Sequence, residues 1–192
     1  MNADLSIFFS WQSDTEVEAD NRAFIRSCLE TAGAALQTKL PLEEAVRIDA
    51  GVEGLAGTPE VATAIFDKIS ASAILVADVT LVASSDKSKK RRQPNSNVSI
   101  EMGYGAAVLG WDRVICVMNE AFGNRFSLPF DHKNRRFPIT YSSKNEISGE
   151  QERLTETLTT ALKTAEESEL KKVAVAIRRL DTHCLRLIAD FG

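Results

Sequence analysis

One carboxylate stands out by the company it keeps. Glu101 lies in the stretch Pro94 to Gly110, PNSNVSIEMGYGAAVLG, where a polar loop runs into a segment of helical periodicity. Val98, Met102, Ala106 and Leu109 recur along one helical face, and Gly105 and Val108 border the same side. At about 100° per residue, Glu101 falls at the edge of that apolar face, between Val98 and Gly105, and not on the solvated side. Ser96 or Asn97 is expected to cap the helix. A carboxylate in a first turn has a simple explanation in the partial positive charge of a helix N-terminus. Its neighbours favour a second one. Asn95, Asn97 and Tyr104 supply polar groups, and Gly103 and Gly105 would let another segment or a ligand approach closely. A lone acid so placed can attack an electrophilic carbon or stabilise a cationic centre.

The rest of the chain reads as the scaffold for that acid. Leu5 to Trp11 (LSIFFSW) is a short apolar run, as expected of a strand buried on both faces. Asn21 to Leu40 sets Phe24, Ile25, Cys28, Leu29, Ala32, Leu36 and Leu40 on one helical face before Pro41 closes it. A weaker strand covers Val46 to Asp49. After Gly51, Gly54 and Gly57, Thr58 and Pro59 predict a helix start, with Val61, Ile65 and Ile69 as its buried stripe. Ala73 to Val79 is the third strand, Arg113 to Met118 the fourth and Phe137 to Tyr141 the fifth. A last helix spans Glu150 to Ala165, with Leu154, Leu158 and Leu162 inward. Strands alternating with helices imply a parallel sheet covered on both faces.

Such sheets bind ligands beyond the carboxyl ends of their strands, where the strand order reverses. The candidates gather at those ends. Ser10, Trp11, Gln12, Ser13 and Asp14 follow the first strand, Asp49 closes the second, and Asp78 and Thr80 close the third. Each has a plainer reading: Asp78 as a turn residue or cap, Trp11 as packing, Asp49 as a loop acid. The run Lys87, Lys89, Lys90, Arg91, Arg92 reads as a solvated stretch or as an attractor of nucleotide phosphates. No stacking aromatics beside it support nucleic-acid binding.

Composition sets the limits. The 192 residues, 44% hydrophobic, suit one ordinary domain with a modest appendage, and the net charge of −4 gives no global nucleic-acid footprint. No apolar run spans a membrane and no signal peptide is evident, so a cytoplasmic location without membrane partners is expected. The three cysteines, Cys28, Cys116 and Cys184, read as reduced core thiols; with only His132 and His183 besides, no metal site is expected.

The segments FFSWQSD, ILVADVT, PNSNVSIEMGYG with the following AAVLG, and RVICVMN together resemble bacterial TIR-like domains, in detail the predicted nucleotide-binding TIR-like proteins of anti-phage defence. The similarity covers roughly residues 4 to 165, and N-V-x-x-E-x-G-Y after D-V-T is its most specific piece. It implies a flavodoxin-like α/β fold of three layers with a five-stranded parallel sheet. It further implies that Glu101 is catalytic in cleaving the nicotinamide-ribose bond of NAD, which is substrate and not cofactor. The resemblance implies that the first loop, within Trp11 to Asn21, borders the ligand and mediates self-association, with ligand contacts at Ser10, Trp11 and Asp14. Asp49, Asp78, Thr80, Asn97 and Tyr104 complete the candidate substrate contacts.

Two rivals stand beside this reading. Nucleoside deoxyribosyltransferases have a related sheet and a similar N-V-x-x-E-like segment, and a non-enzymatic TIR module would signal by assembly with Glu101 merely capping a helix. A phospho-acceptor receiver fits less well, because the first strand ends in SWQSD and not in an acidic pair that would join Asp78 on magnesium. Residues 1–166 form the expected TIR-like domain. Residues 167–192 are expected to be a helical extension or the start of a further domain, since Leu170, Val173, Ile177, Leu180, Cys184 and Leu187 make a narrow apolar seam. The chain is therefore expected to be a piece of a longer protein whose sensing module or partner lies beyond Gly192.

Overall fold

The computed structural model describes residues 5–13, 20–38, 45–51, 60–82, 92–129, 138–146 and 148–167. Its centre is a five-stranded parallel sheet in which β1 (Leu5–Ser10) lies between β2 (Val46–Asp49) and β3 (Ile74–Asp78). Beyond β3, and past the two short strands β4 (Leu81–Val82) and β5 (Gln93–Pro94), the sheet continues with β6 (Val114–Asn119) and β7 (Ile139–Tyr141), giving the order β2-β1-β3-β6-β7. β4 and β5 pair antiparallel as a separate ribbon, an element the sequence reading does not contain. The architecture is the expected flavodoxin-like three-layer α/β fold.

Period-two alternation explains the layers. Ile7 and Phe9 of β1, Ile74 and Val76 of β3, and Ile115 and Val117 of β6 face one side, where they pack with α1 (Asn21–Gln37) and α4 (148–167). Phe8, Leu75, Ala77 and Met118 face the other, beneath α2 (Val61–Ala71) and α3 (Ser96–Val108). Burial on both faces is why these strands read as continuous apolar runs. α1 buries Ile25, Cys28, Leu29, Ala32 and Leu36 as expected, and α4 buries Leu154, Leu158, Leu162 and Ala165.

Several boundaries differ from expectation. β1 ends at Ser10, one residue short of Trp11, and α1 ends at Gln37 with Thr38 as its cap. β6 runs from Val114 to Asn119, because Arg113 belongs to a short 3-10 turn that begins at Trp111. Val61 is 56% exposed, and Ala64 takes its place in the buried stripe of α2. α3 is capped by Asn95, not by Ser96 or Asn97: its side-chain oxygen accepts from the backbone N–H groups of Asn97 and Val98. Leu40, Thr58, Pro59, Phe137, Cys184 and the C-terminal seam lie outside the described residues.

Among the two central glycines of α3 only one has a packing role. A Cβ on Gly105 would collide with the buried Leu75 side chain, so this glycine lets α3 lie close on β3. Gly103 meets nothing within 4 Å.

Candidate active site

The strand order reverses between β1 and β3, and the site is built where these two strands end. Ser10 is aligned with Ala77 across the ladder, one residue before Asp78. Because Ser10 shares the orientation of Phe8, its hydroxyl points toward α3. There it donates to Glu101 Oε2 at 2.5 Å. Ser10 is buried and Glu101 half-buried. Burial pushes the Glu101 carboxyl above the ordinary glutamate range, and the Ser10 hydrogen bond works against that rise. Oε1 makes no hydrogen bond among the described residues. The arrangement is one carboxylate with one oxygen fixed by Ser10 and the other without a hydrogen bond among the described residues.

Asp78 belongs to the opposite face of the sheet. It follows Ile74 and Val76 toward α1 and α4, and it is fully buried. Its Oδ1 accepts from the Thr80 backbone N–H at 3.0 Å and the Thr80 hydroxyl at 2.5 Å. The same hydroxyl accepts from the Asn119 N–H at 2.9 Å. Asn119 closes β6, and its side-chain amide donates to Asn21 Oδ1 at 2.8 Å, as does the Tyr141 hydroxyl. Gln12 enters from above, its amide donating to the Thr80 carbonyl at 2.7 Å. Burial raises the Asp78 carboxyl to about 6 against the hydrogen bonds from Thr80 and Gln12. Burial first, and then the Asp78 charge, raise the Tyr141 hydroxyl as well.

The remaining candidates divide by what holds them. Thr80 is a fully buried member of the Asp78 cluster and not an open ligand contact. Trp11 packs against the α1 side of the core with the Arg22 guanidinium 3.8 Å above its ring, away from the α3 side that carries Glu101. Asp49 accepts from Lys68 Nζ of α2 at 2.9 Å and from the Ala50 N–H at 2.8 Å. The Tyr104 ring lies tilted against Phe66, with centroids 4.5 Å apart, and its hydroxyl shares a 2.7 Å hydrogen bond with Ser70, which ties α3 to the far end of α2. Asn97 is exposed in the first turn of α3. Asp14 lies outside the described residues, as do Lys87, Lys89, Lys90 and Arg91. The last basic residue of that run, Arg92, donates to the Phe122 carbonyl at 2.5 Å.

Of the candidates, the structure brings Ser10 and Glu101 into direct contact. It also gathers Gln12, Asn21, Asn119 and Tyr141 around Asp78, and of these Asn21, Asn119 and Tyr141 are not among the sequence candidates. A signal for part of it exists: β6 is apolar until Asn119 ends it, as in VMN. Among the described residues no three His, Cys, Asp or Glu side chains converge on a possible metal position, and no helix is long and apolar enough to cross a membrane. No protein-family model matches the chain, and no curated protein matches it.

Proposed function

We propose that the chain is an NAD+ nucleosidase that cleaves the nicotinamide-ribose N-glycosidic bond through Glu101, working as an effector in bacterial anti-phage defence or signalling and activated by assembly. The observation that carries this reading is the Ser10–Glu101 pair at the strand ends. Its carboxylate is half-buried, anchored through Oε2 and unpartnered at Oε1 among the described residues. The sequence resemblance supports NAD as the substrate; the geometry supports a single reactive acid.

One acid is enough for this chemistry. Nicotinamide is cationic while bonded to ribose and leaves as a neutral base, so no second carboxyl group is needed to protonate it, unlike the oxygen leaving group of an ordinary glycoside. The protein must instead offset the positive charge that grows on the ribosyl centre as the C–N bond lengthens. An ionised Oε1 does this most strongly in a partly desolvated site, where its field is weakly screened. Ser10 keeps the carboxylate oriented and ionisable. Capture of the ribosyl centre by water then gives ADP-ribose and a proton.

A second reading, a non-enzymatic assembly module, is favoured by the outer face of α3. Ile100 is 58% and Val108 44% exposed, and Gly103 and Ala107 are exposed beside them, so this face carries no charge. Substrate choice tests the readings together. Given NAD and a purine deoxynucleoside in turn, the concentrated protein should release nicotinamide and leave the deoxynucleoside intact. Release of the purine base alone would move the site to nucleoside deoxyribosyl transfer; release of neither, with the protein fully assembled, would favour the assembly module.

A further inference from the structure

β1 and β3 diverge at the site. β1 leads into α1 on one face of the sheet, β3 leads toward α3 on the other, and their ladder ends with Ser10 opposite Ala77. Past that point the chain after β3 stays with β6: the Val79 N–H donates to the Val117 carbonyl at 2.8 Å and the Asn119 N–H to the Thr80 hydroxyl at 2.9 Å. Ser10, which holds Glu101, therefore stands where the ladder between β1 and β3 has run out. The bond that spans the opening comes from a side chain: Gln12 Nε2 donates to the Thr80 carbonyl at 2.7 Å.

Both ends of that bond are buried, and one end is rigid. Gln12 is 4% exposed and Thr80 0%. The Thr80 N–H and hydroxyl both donate to Asp78 Oδ1, and the hydroxyl accepts from Asn119, so Thr80 is already held to β3 and β6 when Gln12 reaches it. Its carbonyl is then a fixed post. A side chain that reaches a buried carbonyl must donate, and an amide donates without taking a charge out of water. Hydrogen bonding from Gln12 also bears on the Asp78 carboxyl, holding it down against burial. A buried acceptor stripped of its donor is costly, so the tie resists opening.

We propose that Gln12 is a positioning residue: by tying the end of β1 to the Thr80 carbonyl, it holds the Ser10 hydroxyl against Glu101 Oε2 and so sets the orientation of the carboxylate. The connected path runs from the Thr80 carbonyl through the Gln12 side chain and the end of β1 to the Ser10 hydroxyl and Glu101. Hydrogen bonding weakens steeply with misalignment, so a small drift of β1 away from β3 is enough to loosen the Ser10 bond. The effect on turnover rests on the reactive role proposed for Glu101; the tie and its effect on the carboxylate do not. A plain packing role for Gln12 predicts something else, a loss of stability with Glu101 undisturbed.

Two substitutions cut the tie differently. Gln12→Met keeps the length of the side chain and removes its donor, whereas Gln12→Asn keeps the amide and removes the reach. The readout is the titration of the Glu101 carboxyl, followed by carbon NMR of the full chain with labelled glutamate and recognised as the resonance that Glu101→Gln lacks. Because the Ser10 bond opposes the rise of this carboxyl, both variants should move its midpoint to higher pH, in the same direction as Ser10→Ala and by no more. Combined with Ser10→Ala, neither should add a further shift, since the hydroxyl that Gln12 positions is already gone. An unchanged midpoint in either variant, with its melting transition intact, overturns the proposal, and so does an equal shift with and without the Ser10 hydroxyl. Turnover gives a second reading: kcat for nicotinamide release should fall while the KM for NAD stays within about twofold. A raised KM with kcat unchanged would overturn the positioning role. The titration needs no NAD, so a midpoint that moves as expected in a protein that releases no nicotinamide upholds the tie and counts against the nucleosidase reading alone.

Discussion

Two carboxylates flank the ends of β1 and β3, and the sheet separates them. Glu101 reaches Ser10 from α3, half-buried, with its other oxygen unbonded among the described residues. Asp78 faces α1 and α4, fully buried and surrounded by amides and hydroxyls. Both carboxyls are raised by burial, yet the consequences differ. A half-buried acid can meet a substrate, so its shift bears on reactivity; an acid sealed from solvent can act only on its own neighbours, so its shift bears on stability and position. A perturbed carboxyl in a sheet of this kind is therefore not evidence for catalysis until its exposure is known.

Replacement of each acid by its amide separates the two roles most sharply. Glu101→Gln should lower nicotinamide release by at least about a hundredfold, the scale of losing a principal electrostatic group, and leave thermal stability nearly unchanged. Asp78→Asn should act chiefly on stability. For Asp78 the folded-state value lies above the ordinary 3.8, so the favourable contribution of the neutral form is fully present below about pH 4 and lost as pH rises through about 6. Denaturation of the variant should accordingly match wild type near pH 4 and exceed it by up to about 3 kcal/mol above pH 7. Equal pH dependence in the two proteins would contradict the assignment of the Asp78 shift.

Smaller effects sharpen the comparison. Ser10→Ala removes the hydrogen bond that opposes the rise of the Glu101 carboxyl. The acid limb of a pH–rate profile should then move to higher pH, and the rate above that limb should fall by about tenfold or less. A limb that stays in place would mean that Ser10 does not govern the ionisation of Glu101. Within α3, Gly105→Ala should cost about 1–3 kcal/mol by overpacking against Leu75, whereas Gly103→Ala should stabilise by about 0.5–1 kcal/mol; paired melts check both. Tyr104→Phe loses only the hydrogen bond to Ser70 and should leave the KM for NAD within about twofold.

The sheet was legible because its strands are apolar on both faces and its helices keep one apolar stripe. Val61 escaped that logic: helical spacing placed it on the stripe of α2, but it lies at the exposed start of the helix. The cap of α3 was displaced to Asn95 because Ser96, Asn97 and Asn95 are all competent, and spacing alone does not rank them. The β4–β5 ribbon is two residues per strand, too short to produce a periodic pattern. At the site, Glu101 was legible from its position on the helix edge. Its hydrogen bond to Ser10, 91 residues away, was not, although both residues stood among the candidates. Tyr104 and Asp49 were drawn toward the site by their type; pairing with Ser70 on one side and Lys68 on the other depends on where α2 packs, which no local pattern encodes.

The central claim is that Glu101 is the reactive acid, and the most direct measurement is nicotinamide release from NAD by wild type and Glu101→Gln, at high concentration and with matched melting curves. The account predicts release by wild type and its near-complete loss in the folded variant. Undiminished release by Glu101→Gln would contradict it.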